Sequence, residues 1–207
     1  MRATMLESMV LPRPESVIER SLFGTLQRRR SVREFSRRQL EWKEISALLW
    51  AGQGVSDAAR RFRTAPSAGA LYPLELDVAV PSGVFRYSAE RHSVLERISL
   101  DVRPHLSSAA LNQSSVANAP CVIAISAVPS RTFVKYGERG TRYIHIEAGH
   151  VAQNMLVTAC SLGLAGVPVG AFDDDAVGAT LHLGTNEVPL YLVPIGWPRA
   201  HRAGDRE

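Results

Sequence analysis

Residues 142–166 read RYIHIEAGHVAQNMLVTACSLGLAG. Ile144, Ala148, Val151, Met155, Ala159 and Leu162 recur every three or four residues, the spacing that lines one face of an α-helix. The run predicts a central helix with Gly163 and Gly166 at its end, where glycine supplies the turn that stops a helix. Other segments carry a different period. LELDVAVPSG (74–83) alternates apolar and polar residues and then breaks, which predicts a strand. GVFRYSAERHSVL (83–95) reads as its hairpin partner, with the turn near Ser88 to Arg91. APCVIAISAV (119–128) and VPLYLVPIGWP (188–198) read as buried strands.

Helical spacing recurs at 15–29 (Val17, Ile18, Leu22, Leu26) and at 39–54 (Leu40, Ile45, Leu48, Leu49), with Gly52 or Gly54 as the stop. Shorter helices are expected at 102–113 and at 173–184, the second opened by acids that complement the helix dipole. TAPSAGALYP (64–73) is a turn-rich loop. Helices mixed with hairpins, without regular βαβ alternation, predict an α+β fold. The 207 residues suffice for one domain with a real core, expected over 1–207 with short extensions outside about 20–198.

The composition, 45% hydrophobic and 21% charged, excludes a disordered chain. The N-terminus carries no signal-peptide pattern and the longest apolar run is about half a membrane span, so the expected location is cytoplasmic, with no membrane partner. Cys121 and Cys160 sit in apolar runs and are expected as buried thiols rather than a disulfide.

The net charge of +4 is carried almost wholly by arginine, since Lys43 and Lys135 are the only lysines. QRRRSVREFSRR (27–38) concentrates six arginines. By residue type this stretch is a solvated charged face, a phosphate site or a nucleic-acid patch. Arg29, Arg30 and Arg33 offer planar forks suited to phosphate and Ser31 a hydroxyl, whereas a nucleic-acid patch needs stacking aromatics that are sparse here. Lys135–Tyr136 is either a base whose phenol is acidified by the neighbouring ammonium, or a surface lysine beside a packed tyrosine. HIEAGH does not make a metal site: His145 and His150 are five apart, roughly 140° around a helix, and no metal is expected. GLAGVPVG (163–170) follows a helix and opens a strand, the reverse of a dinucleotide loop.

Seven segments, in order, resemble the nitroreductase superfamily and more narrowly its SagB-type, azoline-oxidising dehydrogenase branch. They are RRRSVREF, EISALLWAGQG, TAPSAGALYPLEL, VFRYSAERHSVL, KYGERGTRYIHIEAGHVAQNMLVTACSLGL, VPVGAFDDDAV and VPLYLVPIGWP. The resemblance implies a three-layer sandwich with a mixed, mostly antiparallel sheet flanked by helices, and an intertwined homodimer binding FMN at its interface. It implies that Arg29, Arg30, Ser31 and Arg33 hold the FMN phosphate, with Arg199 or Arg202 as a further contact. Pro66, Ser67, Ala68, Gly69 and Leu71 would pack along the isoalloxazine from the other subunit, and Val169, Gly170 and Ala171 would present a backbone N–H to flavin N5. Arg28, Arg37 and Arg38 stay unassigned.

Lys135 and Tyr136 match the branch's catalytic pair. Tyr136, aided by Lys135, would take a proton α to a carbonyl on a thiazoline or oxazoline ring, with hydride passing to flavin N5 and oxygen reoxidising the FMN. The implied substrate is a small molecule or a peptide- or carrier-bound heterocycle, acted on alone or in a biosynthetic complex. No leader-peptide recognition module is visible. On this reading the arginines serve one phosphate and no nucleic acid. An NAD(P)H-dependent nitroreductase or quinone reductase is the alternative, and a basic nucleic-acid-binding protein a remote one.

Overall fold

A computed structural model of the chain describes residues 8–12 and 21–199. Its elements are β1 (Ser8–Val10), α1 (Leu22–Arg28), α2 (Trp42–Gln53), β2 (Val55–Asp57), β3 (Phe62–Arg63), β4 (Leu74–Val80), β5 (Gly83–Ser88), β6 (Ser93–Ile98), α3 (Arg103–Ala109), α4 (Ser114–Asn118), β7 (Cys121–Ala127), α5 (Ser130–Tyr136), α6 (Gly140–Ser161), β8 (Ala165–Gly166), α7 (Asp174–Thr180) and β9 (Val188–Gly196). Among the described residues, seven strands form one sheet in the order β1-β6-β5-β4-β7-β9-β8, each pair antiparallel. β2 and β3 form a separate two-stranded ribbon.

The sheet lies between two helical layers, the α+β sandwich expected from the sequence. Strand pleating explains the division, because successive side chains point to opposite faces. Cys121, Ile123, Ile125 and Ala127 of β7 join Leu74, Leu76 and Val78 of β4 in a cluster with α2 and α6. Val122 and Ala124 face the other way, joining Ala79, Val84 and Leu192 against α3, α4 and α7.

The α6 stripe is buried as its spacing predicts, from Ile144 through Ala148, Val151 and Met155 to Ala159. Gly163 (φ 79) donates to the Cys160 carbonyl and Leu164 to that of Ala159, which is the Schellman closure of a helix. Two expected helix stops belong elsewhere. Gly166 lies in β8, where a β-carbon would meet the Pro194 carbonyl at 2.8 Å. Gly52 lies inside α2, where a β-carbon would approach Met155 and Val151 at 3.2 and 3.3 Å; it lets α2 and α6 pack closely, and Gly54 caps the helix.

Segment 83–95 turns within one residue of the expected place, and the turn separates two strands. Its turn at 89–92 joins β5 to β6, while Pro81 and Ser82 close the hairpin to β4. The predicted helix at 102–113 is split: α3 ends at Ala109, Leu111 and Asn112 take positive φ, and α4 follows. Of the helix expected at 15–29 the structure describes α1, with Leu22 and Leu26 exposed; Val17 and Ile18 lie outside the described residues. Cys121 is buried, and its thiol pKa is pushed up to about 12 by desolvation. Cys160 is half-buried, its Sγ 3.6 Å from the Thr25 carbonyl oxygen.

One charged group sits in the sheet itself. Asp77 of β4 is 1% exposed and accepts a two-pronged hydrogen bond from Arg86 of β5, Nε to Oδ1 at 2.8 Å and Nη2 to Oδ2 at 2.7 Å. Arg86 also reaches Glu187 at 2.9 and 3.0 Å. Desolvation alone would pull the Arg86 pKa down; the hydrogen bonds it donates to Glu187 and Asp77 outweigh it and raise the pKa. Arg86→Met would leave the Asp77 carboxylate buried with only Arg97 at 3.4 Å. It should cost about 3 kcal/mol in urea unfolding. A loss below about 1 kcal/mol, the range of exposed ion pairs, would contradict this reading.

Candidate active site

The loop between β3 and β4 carries the first group of candidate residues. Ala68–Ala70 make one 3₁₀ turn, with Gly69 at φ 63. Side chains rarely adopt that conformation, and the space is closed as well. A β-carbon on Gly69 would lie 2.9 Å from the Tyr136 hydroxyl and 3.0 Å from Lys135 Nζ. Lys135 and Tyr136 end α5, and Gly137 (φ 54) turns the chain toward α6. Tyr136 packs edge-on against Tyr143 at 5.0 Å, and Lys135 Nζ lies 5.4 Å from the Tyr136 ring centre. Folding thus brings the two catalytic candidates onto the Ser67–Gly69 turn of the same chain.

A polar network underlies this turn. The Tyr72 N–H donates to Ser67 Oγ at 2.9 Å, and the Ser67 hydroxyl faces the carboxyl of Glu147. Gln53 Nε2 donates to Glu147 Oε1 at 3.4 Å, and Gln53 Oε1 accepts from Arg63 Nη1 at 2.8 Å. Glu147 and Gln53 are both buried. Sequence reading passed over both. The available signal was an acid at position 147 inside the apolar stripe of α6, next to Ala148. Leu71 is half-buried and Pro66 exposed beside this network.

The arginine stretch forms a second group. Ser31 bridges Gly166 in parallel, with the Val32 N–H donating to the Gly166 carbonyl at 3.1 Å. Phe35 bridges Pro198, so residues 31–35 run along the sheet edge. Arg29 and Arg30 line a cavity of about 210 Å³ with Val32, Cys160 and Gly163. Arg30 Nη1 donates to the carbonyls of Gln27 and Arg29 at 3.0 and 2.8 Å. Among the described residues, no carboxylate pairs with Arg29, Arg30 or Arg33. Arg33 and Arg199 line a different cleft, of about 620 Å³, with Ser114 and Asn118. Arg199 is 3.9 Å from Glu34, and Arg202 lies outside the described residues. Arg38, unassigned from sequence, lies over the Trp197 ring at 3.7 Å.

Val169 is locked to Leu192 by two hydrogen bonds of 2.8 and 2.9 Å. The next two residues are exposed, and among the described residues the N–H groups of Gly170 and Ala171 find no acceptor. The Ala171 carbonyl is held by Gln113 at 2.9 Å. Among the described residues, no hydrogen bond joins this arginine group to the Gly69–Tyr136 group. The candidate residues therefore fall into two groups, one on the arginine stretch and one on the loop before β4.

Comparison with known proteins matches nearly the whole chain. The sequence profile of the nitroreductase family matches residues 26–197. A protein of Methanocaldococcus jannaschii, provisionally named nitroreductase MJ1384, is 44% identical over 198 residues, covering 93% of this chain and 98% of its own length. The crystal structure of a protein from Ralstonia eutropha, also provisionally named a nitroreductase, superposes with a TM-score of 0.85 at 27% identity, covering 96% of this chain and 93% of the other. The microcin synthetase McbBCD complex of E. coli, with truncated pro-MccB17 bound, shares the fold at a TM-score of 0.74 and 22% identity, covering 93% of this chain and 78% of that one.

Burial raises the pKa of Glu147, against the opposing hydrogen bonds from Ser67 and Gln53 and the charge of Arg63. A carboxyl raised in this way favours the folded state fully below its unfolded pKa, about 4.3, and loses that contribution as pH rises through the folded value. Glu147→Gln cannot ionise. Its urea midpoint should therefore move upward relative to the parent as pH is raised from about 4 to about 8. A difference that is flat across this window would contradict the environment assigned to Glu147.

Proposed function

The chain belongs to the nitroreductase family of oxidoreductases, and from that premise we propose that it is an FMN-dependent dehydrogenase that oxidises a thiazoline- or oxazoline-type ring to the azole. The reading is carried by the approach of Lys135 and Tyr136 to the Gly69 turn, which sets a phenol and an ammonium on the loop proposed to face the flavin ring.

The residues fit FMN on two counts. Among the described residues Arg29 and Arg30 are guanidiniums without a carboxylate partner that line one cavity, and with Ser31 next in sequence they make a donor set suited to a phosphate dianion. The uncommitted N–H groups of Gly170 and Ala171 suit a site where negative charge accumulates. Arg33 and Arg199 line the neighbouring cleft and are proposed as outer phosphate contacts. When bound, FMN supplies the two-electron acceptor, with oxygen as the final oxidant.

The chain's own part is to position the ring and manage a proton. Pro66, Ser67, Ala68, Gly69 and Leu71 offer a small-residue surface for a flat ring, fixed from below by Gln53 and Glu147. Tyr136, with the Lys135 ammonium beside it, takes the proton α to the carbonyl that the ring carries. We infer a homodimer in which the arginine half-site of one copy meets the loop half-site of the other. Leu22, Phe23, Leu26, Phe133, Val134 and Ile146 are exposed in one copy, apolar surface that a second copy would cover. The substrate is proposed as a small molecule or a peptide- or carrier-bound heterocycle. The likeness in fold to a member of a synthetase complex supports a biosynthetic setting.

The name of the 44% identical relative favours a second reading, an NAD(P)H-dependent nitroreductase in which Lys135 and Tyr136 are incidental. One pair of measurements separates the two. Tyr136→Phe should keep the yellow cofactor and lose azoline turnover by about 10²-fold or more, while the anaerobic parent should bleach slowly with NADPH. Rapid bleaching together with unchanged Tyr136→Phe turnover would establish the nitroreductase reading instead.

A further inference from the structure

A cleft of about 680 Å³, within the size range of small-molecule sites, opens beside the Gly69 turn. Four guanidiniums line it: Arg60, Arg61, Arg63 and Arg131. Three have a carboxylate within reach. Arg60 lies 3.8 Å from Asp57, Arg131 lies 2.5 Å from Glu75, and Arg61 pairs with Glu90. Arg63 has none among the described residues.

Arg63 is instead held by an aromatic ring and a neutral amide. Its guanidinium lies over the Tyr72 ring at 4.6 Å, and its own N–H donates to the Tyr72 hydroxyl at 3.1 Å. Nη1 is spent on Gln53 Oε1, and the Gln53 amide is oriented by its second bond to Glu147. Four of its five N–H donors remain for a ligand. A half-buried cation with a fixed plane and no carboxylate at ion-pair distance among the described residues, only the more distant charges of Glu75, Glu90 and Glu147, is an incomplete ion pair.

The backbone around it is strained. Arg61 (φ 57), Ala70 (φ 54) and Tyr72 (φ 46) all adopt the left-handed region without being glycine, and all three line this cleft. Such strain gathers at ligand sites because only the surrounding structure maintains it. A second cavity, of about 570 Å³ along Pro66, Ser67 and Gly69, shares Arg63, Ala70 and Tyr72 with the first. Arg63 thus stands where the open cleft meets the turn that carries Lys135 and Tyr136.

We propose that Arg63, stacked on Tyr72 and held by Gln53, binds the carboxylate of an organic-acid substrate and so directs the rest of that molecule toward Gly69, Lys135 and Tyr136. A single uncompensated guanidinium matches a monoanion, and its planar fork matches the two oxygens of a carboxylate. A phosphate dianion would call on further cations, which here are committed to Glu75, Glu90 and Asp57. The assignment deepens the dehydrogenase reading, on which it rests for what happens to the ligand after binding.

The test is calorimetric binding of thiazole-4-carboxylate and benzoate, each against its neutral amide, to the full-length protein as purified. Both acids should bind at least about tenfold more tightly than their amides. Arg63→Gln should abolish that preference while retaining amide binding and flavin content, and Arg63→Lys should restore it only in part, because an ammonium lacks the fork. Equal binding of acid and amide, or a preference that survives in Arg63→Gln, would overturn the assignment. So would inorganic phosphate displacing benzoate at lower concentration than thiazole-4-carboxylate does. A colourless protein that still prefers the acids would sink the flavin reading and leave the carboxylate site standing.

Discussion

All seven residues of β7, Cys121 to Ala127, are buried, so both faces of the strand must be covered by apolar partners. Ile123 and Ile125 are removed completely from water on the α2–α6 side, each worth about 2 kcal/mol relative to exposure. Val122 and Ala124 require the α3–α4–α7 layer on the other. A sheet enclosed in this way has no room for catalytic groups on either face. The candidate residues accordingly occur where strands and helices end: the turn before β4, the junction of α5 with α6, and the edge beyond β8.

Among the described residues three acids are buried, Glu44, Asp77 and Glu147, and the last two are handled differently. Asp77 is answered by Arg86 and, at longer range, by Arg97, which fastens β4, β5 and the start of β9 together. Glu147 is met only by neutral donors, Ser67 and Gln53, with Arg63 one residue further out. The first is an ion pair that holds strands in register. The second is a hydrogen-bond relay running from the interior of α6 to the loop at the site. Removing a partner from either leaves a polar group in low dielectric, but only the second would also release the Ser67–Gly69 turn.

The sequence made the apolar scaffold legible because burial repeats with the period of each element. The α6 stripe, the β7 run and the Gly163 closure follow from local spacing and local backbone chemistry. Pairings between distant residues were less accessible. Gly52 and Gly54 read as alternative helix stops because nothing local reveals that α6 passes against Gly52 while Gly54 caps the helix. RRRSVR appeared as one cluster, yet the bridges at Ser31 and Phe35 send Arg29 and Arg30 to one cavity and Arg33 to another. Lys135–Tyr136 was legible as a pair, whereas the network beneath the neighbouring turn joins Gln53, Arg63 and Glu147 from three separate segments. An acid in the stripe of α6 and an arginine just before PSAGALYP were the local traces of that network.

Among the described residues no hydrogen bond joins the arginine group to the Gly69–Tyr136 group within one chain, and the two are proposed to meet across a two-fold axis. Subunit complementation tests this directly. One copy would carry Arg29→Ala with Arg30→Ala and the other Gly69→Val, the heterodimer being isolated through two different affinity tags. Each homodimer should lose its flavin. In the heterodimer one site collects both defects and the other collects none, because a two-fold interface pairs each half with its complement. The account predicts one FMN per heterodimer. A heterodimer as colourless as either parent variant would mean that each site is built within a single chain, and would contradict it.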